Sequence, residues 1–445
     1  MTVEEFKNKF RPWLYRLHVH GLYTWLRENK TAIKALVCKI RYARHIRRMR
    51  AKPKGEKIRV LFIVSEIAKW KEQKVYEVME RSGIFEPIVG LSAWNRQLSL
   101  SPAELDAVHN RAEIFFERLG DQTVRTVMVD GDKKVYRDLS EFKPDIVYYT
   151  EPWSPCEKQD PWTVSKFALT VYTPYFTPNY GVLSLDCHQL VHRLLYAYFT
   201  LNEAWSNAYR RSLRFVAHST KFVPTGHPGL DFFANAPNIR PRKNSVIYAP
   251  HFSFYNPNQP DYPQRYSTFD KNRNEILSYA KQHPEFNWVF KPHPLLREWI
   301  KSSGLMSQKE VDYYFSEWAK IGVVCEAGDY QDLFLDSFAI ITDCGSFLTE
   351  YGATGRPVIH LICSANKYTP THLIKRLYDT YYQVHSIDEM QAIFGLVLEN
   401  RKDPMKERRL AEARNAGILN SNAAHCIKHY FLGSSKNLVE THDVV

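Results

Sequence analysis

At 445 residues the chain is long enough for two domains of ordinary size, each with a full apolar core. Hydrophobic residues make up 44%, yet no apolar run approaches the roughly 18 residues needed to span a bilayer. The opening MTVEEFKNKF lacks a signal-peptide core, so neither a membrane-spanning nor an exported protein is expected. Seven scattered cysteines without CxxC or Cys/His spacing fit a reducing compartment and no zinc.

The net charge of +12 is local. Residues 1–57 hold 16 basic and 4 acidic residues, and the remaining 44 basic and 44 acidic residues cancel. This basic arm reads as two candidate helices. Trp13, Leu14, Leu17, Trp25 and Leu26 form an aromatic-aliphatic patch, and Ile33, Leu36, Val37 and Ile40 recur at helical spacing among Lys34, Lys39, Arg41, Arg44, Arg47, Arg48 and Arg50. Basic side chains around an apolar, Trp-bearing face suit an anionic membrane surface. Packing on the body and a nucleic-acid contact compete with that reading. No DNA- or RNA-binding motif accompanies the charge, so no nucleic-acid partner is expected.

After the Lys52-Pro53-Lys54-Gly55 break, strands are expected at Ile58–Val64, Phe85–Leu91, Val124–Val129, Ile146–Tyr149 and Leu169–Val171. Helices are expected from about Lys71 to Arg81, from Ser101 to about Leu119, and from Leu190 to Tyr209. Pro- and Asn-rich residues from Ala236 to Asn244 form a linker, after which the strand–helix alternation restarts. Its strands are Ser245–Ala249, Asn287–Lys291, Ala339–Thr342 and Val358–Ile362, with Val323-Val324-Cys325 and then Asp329–Leu335 leading into the third; its helices are Asp270–Gln282 and Gln308–Lys320. Helices Lys406–Ala416 and Ala423–Phe431 end the ordered chain. Such alternation predicts an α/β protein of two Rossmann-like domains facing a cleft, behind a basic helical arm. The expected divisions are 1–57 for the arm, 58–235 and 236–420 for the two domains, and 421–445 for a terminal helix and polar tail.

Chemistry concentrates around Phe338–Ile362. A β-branched strand ends at Asp343, Cys344-Gly345-Ser346 make a small-residue turn, and a helix opens at about Phe347. Unpaired N–H groups and the helix dipole make such a start an anion site. Gly345 lets a phosphate approach the backbone, and Ser346 can cap the helix or donate to the same phosphate. Two further polar clusters, Tyr248-Ala249-Pro250-His251 and Lys291-Pro292-His293-Pro294, also follow strands, so all three point to one sheet edge. A lysine, two histidines and a helix N-terminus on one edge form a diphosphate pocket. No carboxylate pair, DxD motif or Cys/His set calls for an obligatory metal, although a loosely bound Mg2+ is compatible with the pattern.

These residues also carry a resemblance. Thr342-Asp343-Cys344-Gly345-Ser346-Phe347-Leu348-Thr349-Glu350-Tyr351, continuing through Gly355-Arg356-Pro357-Val358-Ile359, resembles the TDxSSxxxDY…TGKP stretch of CDP-glycerol glycerophosphotransferases, the teichoic-acid-type polymerases and primases of GT-B fold. Tyr248–Pro250, Lys291–Pro294, Thr225–Pro228 and the acidic-Leu element Asp329–Leu333 match in the same chain order, and Val60–Glu66 with Lys69-Trp70 is similar to Gram-negative relatives. The likeness covers roughly residues 58 to 430. The chain departs from the family at Gly345-Ser346 (a Ser pair), Glu350 (an Asp) and His251 (a Thr), and at Gly229, where an Arg is lost. The family's first-domain His-Gly-Thr-Pro has no plain counterpart; Tyr172-Thr173-Pro174-Tyr175 lies nearest, without the His.

The resemblance implies a cytoplasmic enzyme, peripheral to the inner face of the membrane. It would transfer a polyol phosphate from a CDP-activated donor to a hydroxyl of a surface glycan or lipid-linked acceptor, as in teichoic-acid or capsule synthesis, releasing CMP. His293, His251 and Lys291 are then the expected catalytic residues. Thr342, Asp343, Gly345, Ser346, Glu350 and Tyr248 would bind the donor, and Glu151, Tyr175 and Asn179 the acceptor across the cleft. A GT-B glycosyltransferase using a nucleotide sugar and a catalytically silent scaffold are the alternatives.

Overall fold

The computed structural model describes residues 19–433 except 95–96, 98, 132, 152–157, 178–188, 235, 242, 327–329, 367–369 and 420. Its frame is two parallel sheets. The first runs β3 (Thr123–Arg125), β2 (Phe85–Leu91), β1 (Ile58–Val64), β6 (Ile146–Tyr149), β7 (Leu169–Tyr172), β8 (Ala197–Thr200), β9 (Lys221–Pro224). The second runs β12 (Gly322–Val324), β11 (Asn287–Phe290), β10 (Ser245–Ala249), β13 (Ser337–Thr342), β14 (Val358–Leu361), β15 (Tyr382–Val384). Between β3 and β6 in sequence, β4 (Val127–Asp130) and β5 (Lys133–Tyr136) form a separate antiparallel hairpin. Strands such as IVYY and SVIYA are buried at every position, because helices cover both faces of a parallel sheet. In each sheet the strand order reverses beside the first strand, between β1 and β6 and between β10 and β13. Crevices at such switch points, outside the carboxyl ends of the strands, are where α/β sheets bind ligands.

Several elements differ from expectation. The aromatic stretch expected as one helix from Leu190 to Tyr209 contains β8, bounded by short helices at Leu190–Arg193 and Glu203–Ser212. Ala-Tyr-Phe-Thr is buried on both faces between β7 and β9, and that two-sided burial overrides a helical reading of its spacing. The expected strand Val124–Val129 divides at Thr126, whose N–H and hydroxyl both donate to Leu91 O, so the chain leaves the sheet for the hairpin. Sequence patterning also passed over β15 and the helices His372–Tyr378 and Ile387–Phe394.

The arm is one helix, α1 (Val19–Arg50), over its described part; residues 1–18, with Trp13, Leu14 and Leu17, lie outside the described residues. Its buried Ala35, Cys38, Tyr42, His45 and Met49 fall three or four residues apart, and all but His45 join the first-domain apolar core. The Tyr42 hydroxyl donates to Leu194 O at 2.6 Å, His45 Nε2 lies 2.9 Å from Ser165 O, and the Arg41 guanidinium stacks on Trp162 at 4.5 Å. Ile33 and Leu36 face outward instead, 65% and 60% exposed. Among the described residues no helix is long and apolar enough to cross a membrane.

The chain's last helix, α2 (Ala423–Leu432), crosses back to the first domain. Asp231 caps it, accepting from Ala423 N at 2.9 Å and Ala424 N at 2.8 Å, while Ala424, Ile427 and Phe431 enter the same core as Val75, Tyr76 and Met79.

Candidate active site

The second switch point gathers all three sequence clusters. Asp343, one residue past β13, is buried and accepts three hydrogen bonds: from His251 N at 2.6 Å, Thr268 N at 2.9 Å and Ser267 Oγ at 2.9 Å. It therefore ties the loop after β10 to the turn after β13. Burial pushes its carboxyl up to about 7 against those three donors. The His251 and His293 rings lie 4.8 Å apart, each also against Phe252. His251 Nδ1 accepts from Ser253 N at 3.2 Å, and burial, reinforced by His293, holds the ring neutral, well below the usual imidazole range. His293 N donates to Pro250 O, and its Nδ1 accepts from Leu295 N at 3.1 Å. In the neutral ring the proton then sits on Nε2, which makes that atom a donor.

Lys291 is buried with its Nζ 5.3 Å from the Tyr330 ring centre and 6.0 Å from that of Phe347, in the first turn of helix α3 (Gly345–Gly352). Cys344 occupies the N-cap of α3, and its side chain accepts no hydrogen bond from the helix's first N–H groups. Ser346 does not cap the helix as expected; its hydroxyl lies 3.5 Å from Cys344 Sγ. Glu350, one turn on, is buried and accepts from the Tyr330 hydroxyl, which also receives Lys71 Nζ of the first domain at 2.6 Å. A Lys71–Tyr330–Glu350 chain thus bridges the cleft. The expectation anticipated Glu350 but neither partner.

Two expected donor contacts are corrected. The Tyr248 ring is fully buried, stacked against Phe290 and tilted on Trp318, because alternate residues of β10 point into a covered face. The Thr342 hydroxyl donates to Ala249 O at 2.6 Å and accepts from Cys344 N at 3.0 Å, so its bonding capacity serves the strand ends. Both belong to the scaffold.

Across the cleft, the first switch point carries Glu151. Its carboxylate accepts from Ser65 N at 3.3 Å and from the Ser65 hydroxyl, and pairs with Lys69 Nζ at 2.8 Å. Lys69 also pairs with Glu66 and lies 5.6 Å from the Tyr175 ring centre, so Glu151 and Tyr175 share one cation. Asn179 lies outside the described residues. His227 is spoken for: Nε2 sits 2.8 Å from Pro174 O, Nδ1 accepts from Gly229 N at 3.1 Å, and burial lowers the ring to about 4. Glu72, not anticipated, is buried with Oε1 unpartnered among the described residues, and desolvation raises it to about 8. Among the described residues no three His, Cys, Asp or Glu side chains come together as a metal set.

With this geometry in hand, the model of the CDP-glycerol:poly(glycerophosphate) glycerophosphotransferase family matches residues 196–407. That span contains all three polar clusters. Over that span the chain is similar to the CDP-glycerol glycerophosphotransferases. Solved structures agree on the fold. A variant of the wall teichoic acid polymerase TagF aligns at TM-score 0.53 and 13% identity, covering 98% of each chain. The UDP-GlcNAc 2-epimerase of Neisseria meningitidis aligns at TM-score 0.50 and 14% identity, covering 85% of this chain and all of the other. These likenesses place the two sheets in the GT-B fold. No curated protein matches the chain.

Proposed function

We propose that this glycerophosphotransferase-like enzyme moves a polyol phosphate from a CDP-activated donor to a hydroxyl of a surface glycan or lipid-linked acceptor. The acceptor oxygen attacks the phosphorus that carries the polyol, the phosphoanhydride bond breaks, and CMP leaves. The observation that carries the reading is the placement of Lys291, His293 and the uncapped start of α3 on one sheet edge, within the span matched by the family. Rate then comes from positioning and charge neutralisation. Gly345 and Ser346 cradle the diphosphate, Lys291 supplies the counter-charge, and His293 Nε2–H donates to a phosphate oxygen as charge builds on the leaving group. His251, neutral and packed on His293, is a positioning residue. Glu350 accepts from the ribose once Tyr330 yields it, and Glu151, Tyr175 and Asn179 hold the acceptor. Mg2+ in this reading accompanies the donor phosphates and has no resident site.

The enzyme works at the cytoplasmic face of an anionic membrane, in wall or capsule polymer synthesis. The outward stripe of Ile33, Leu36 and Ile40 among Lys30, Lys39 and Arg44 supports that placement. Vesicles containing anionic lipid should bind the full chain and release it when Ile33 and Leu36 become Glu; unchanged binding removes the membrane contact.

The central test is thermal stabilisation by CMP, CDP, CDP-glycerol, CDP-ribitol and uridine counterparts, followed by CMP release with acceptor. His293→Ala is expected to lower turnover by about 10²–10³-fold, the cost of losing one charge-stabilising donor, with the fold intact. A folded His293→Ala enzyme that retains most activity refutes the assignment, and preference for uridine ligands refutes the donor class.

A further inference from the structure

Beyond the Gly345 turn, on the side away from Lys291, the ends of β13, β14 and β15 enclose a cavity of about 280 Å³. That is just under the roughly 300–1,000 Å³ of drug-sized ligand pockets, which suits a small polyol or a single sugar. Tyr378 joins this cavity to the proposed diphosphate cradle. It forms part of the wall, while its hydroxyl donates to Gly345 O at 3.2 Å and lies 2.9 Å from Thr349 Oγ1 of α3.

The lining specifies the ligand chemistry. His360, at the carboxyl end of β14, is only 8% exposed, and its Nδ1 is buried without a hydrogen-bond partner among the described residues. Burial, then His385, lowers the ring to about 3, so it is a neutral donor and acceptor. Lys375 is already paired with Asp379 at 2.7 Å and 2.8 Å. Asp343 stands in the wall as well, so the cavity carries no surplus positive charge to attract a phosphate. The Gln383 amide offers a further donor and acceptor, and Leu361, Ile362 and Pro370 supply apolar wall for C–H faces. Neutral polar groups set among apolar ones suit hydroxyls, and an unsatisfied buried imidazole nitrogen gains most from meeting one.

We propose that this cavity is the subsite for the uncharged, polyhydroxylated part of the donor, the group that travels with the phosphate, so that His360, Gln383 and the Lys375–Asp379 pair select the polyol. The inference rests on the donor site proposed above. A sugar of the acceptor has the same chemistry, and its position is separable by experiment.

Cys363 lies in the wall and is a free thiol, so its alkylation, read by peptide mass spectrometry, reports occupancy. In the full chain CDP-ribitol should slow that alkylation about tenfold, and CDP alone less than about twofold. His360→Phe should bind CDP as the wild type does and CDP-ribitol about tenfold more weakly, the effect of one lost buried hydrogen bond, and Gln383→Leu, at an exposed position, should do the same with a loss of about threefold. Two independent wall variants guard against one of them failing to fold. CDP-ribitol that protects no better than CDP, or folded variants that bind both ligands unchanged, overturns the subsite. Protection by a neutral disaccharide without nucleotide, and none by CDP-ribitol, gives the cavity to the acceptor and overturns the donor assignment. If no cytidine ligand binds at all, the donor site itself has failed; free ribitol then decides the cavity, and absence of Cys363 protection by it overturns the subsite separately.

Discussion

The two switch points solve one geometric problem with different chemistry. In each, a carboxylate following the strand that crosses the switch receives a backbone N–H from one or two residues past the sheet's first strand: Ser65 N to Glu151 in the first domain, His251 N to Asp343 in the second. Glu151 completes its shell with a cation, Lys69. Asp343 completes its shell with Ser267 and Thr268, two uncharged donors. A buried carboxylate paired with a lysine depends on that partner, whereas one held by neutral donors spreads the dependence over a loop.

This comparison is open to direct attack. The largest stability effect is expected from Lys69→Met, which leaves Glu151 buried without its counter-charge; urea unfolding should show a loss of about 3–5 kcal/mol. Adding Glu151→Gln to that variant should restore most of it. Asp343→Asn keeps one acceptor and removes the charge, so the expected loss is smaller, about 1–3 kcal/mol. If Asp343→Asn proves the more damaging, the two carboxylates have been ranked the wrong way round.

Their proton linkage sharpens the contrast. Burial raises Glu72 to about 8 and Asp343 and Asp121 to about 7, so the folded chain retains protons that the unfolded chain releases near pH 4. Stability from these groups falls as pH rises until each folded pKa is passed. His227 and His360 act oppositely, since their folded values of about 4 and 3 make stability fall as pH drops below about 6.5. The two histidines offset part of the carboxyls' loss below about pH 6.5 and none of it above, so the decline with pH should be steepest between about pH 6 and 8 in denaturant titrations, and Glu72→Gln should flatten that limb. The smallest effect belongs to the outward face of α1. Leu36→Ser should change stability by less than about 0.5 kcal/mol, while Tyr42→Phe on the inward face should cost about 1 kcal/mol.

Much of the frame was legible because parallel strands buried on both faces read as unbroken apolar runs, as in IRVLFIV and SVIYA. The same cue failed at β8, whose four residues sit inside a longer aromatic stretch. At the site, the motifs placed Lys291, His251, His293 and Asp343 at one edge, as their positions after strands required. Motifs do not convey side-chain direction: Tyr248 sits in one of them, yet its ring faces the core. Lys71 and Tyr330 stand 259 residues apart; the Asp329–Leu333 element contains Tyr330 but does not point to Lys71, and only folding brings them together.

The return of the chain into the first domain makes the second domain an insert held at two points. Residues 236–244 lead into it; the exit runs past Ala416, whose carbonyl accepts from Asn202 Nδ2 at 2.8 Å, and Gly417, in the left-handed region at φ +73° against the same side chain, to the cap at Asp231. A body tethered once can swivel freely, but one tethered twice turns mainly about the line joining its tethers. Opening of the cleft is therefore reduced to the swing of a door on two hinges. Removing residues 423–433 would do more than shorten the chain, because it would take away one hinge and part of the first-domain core together.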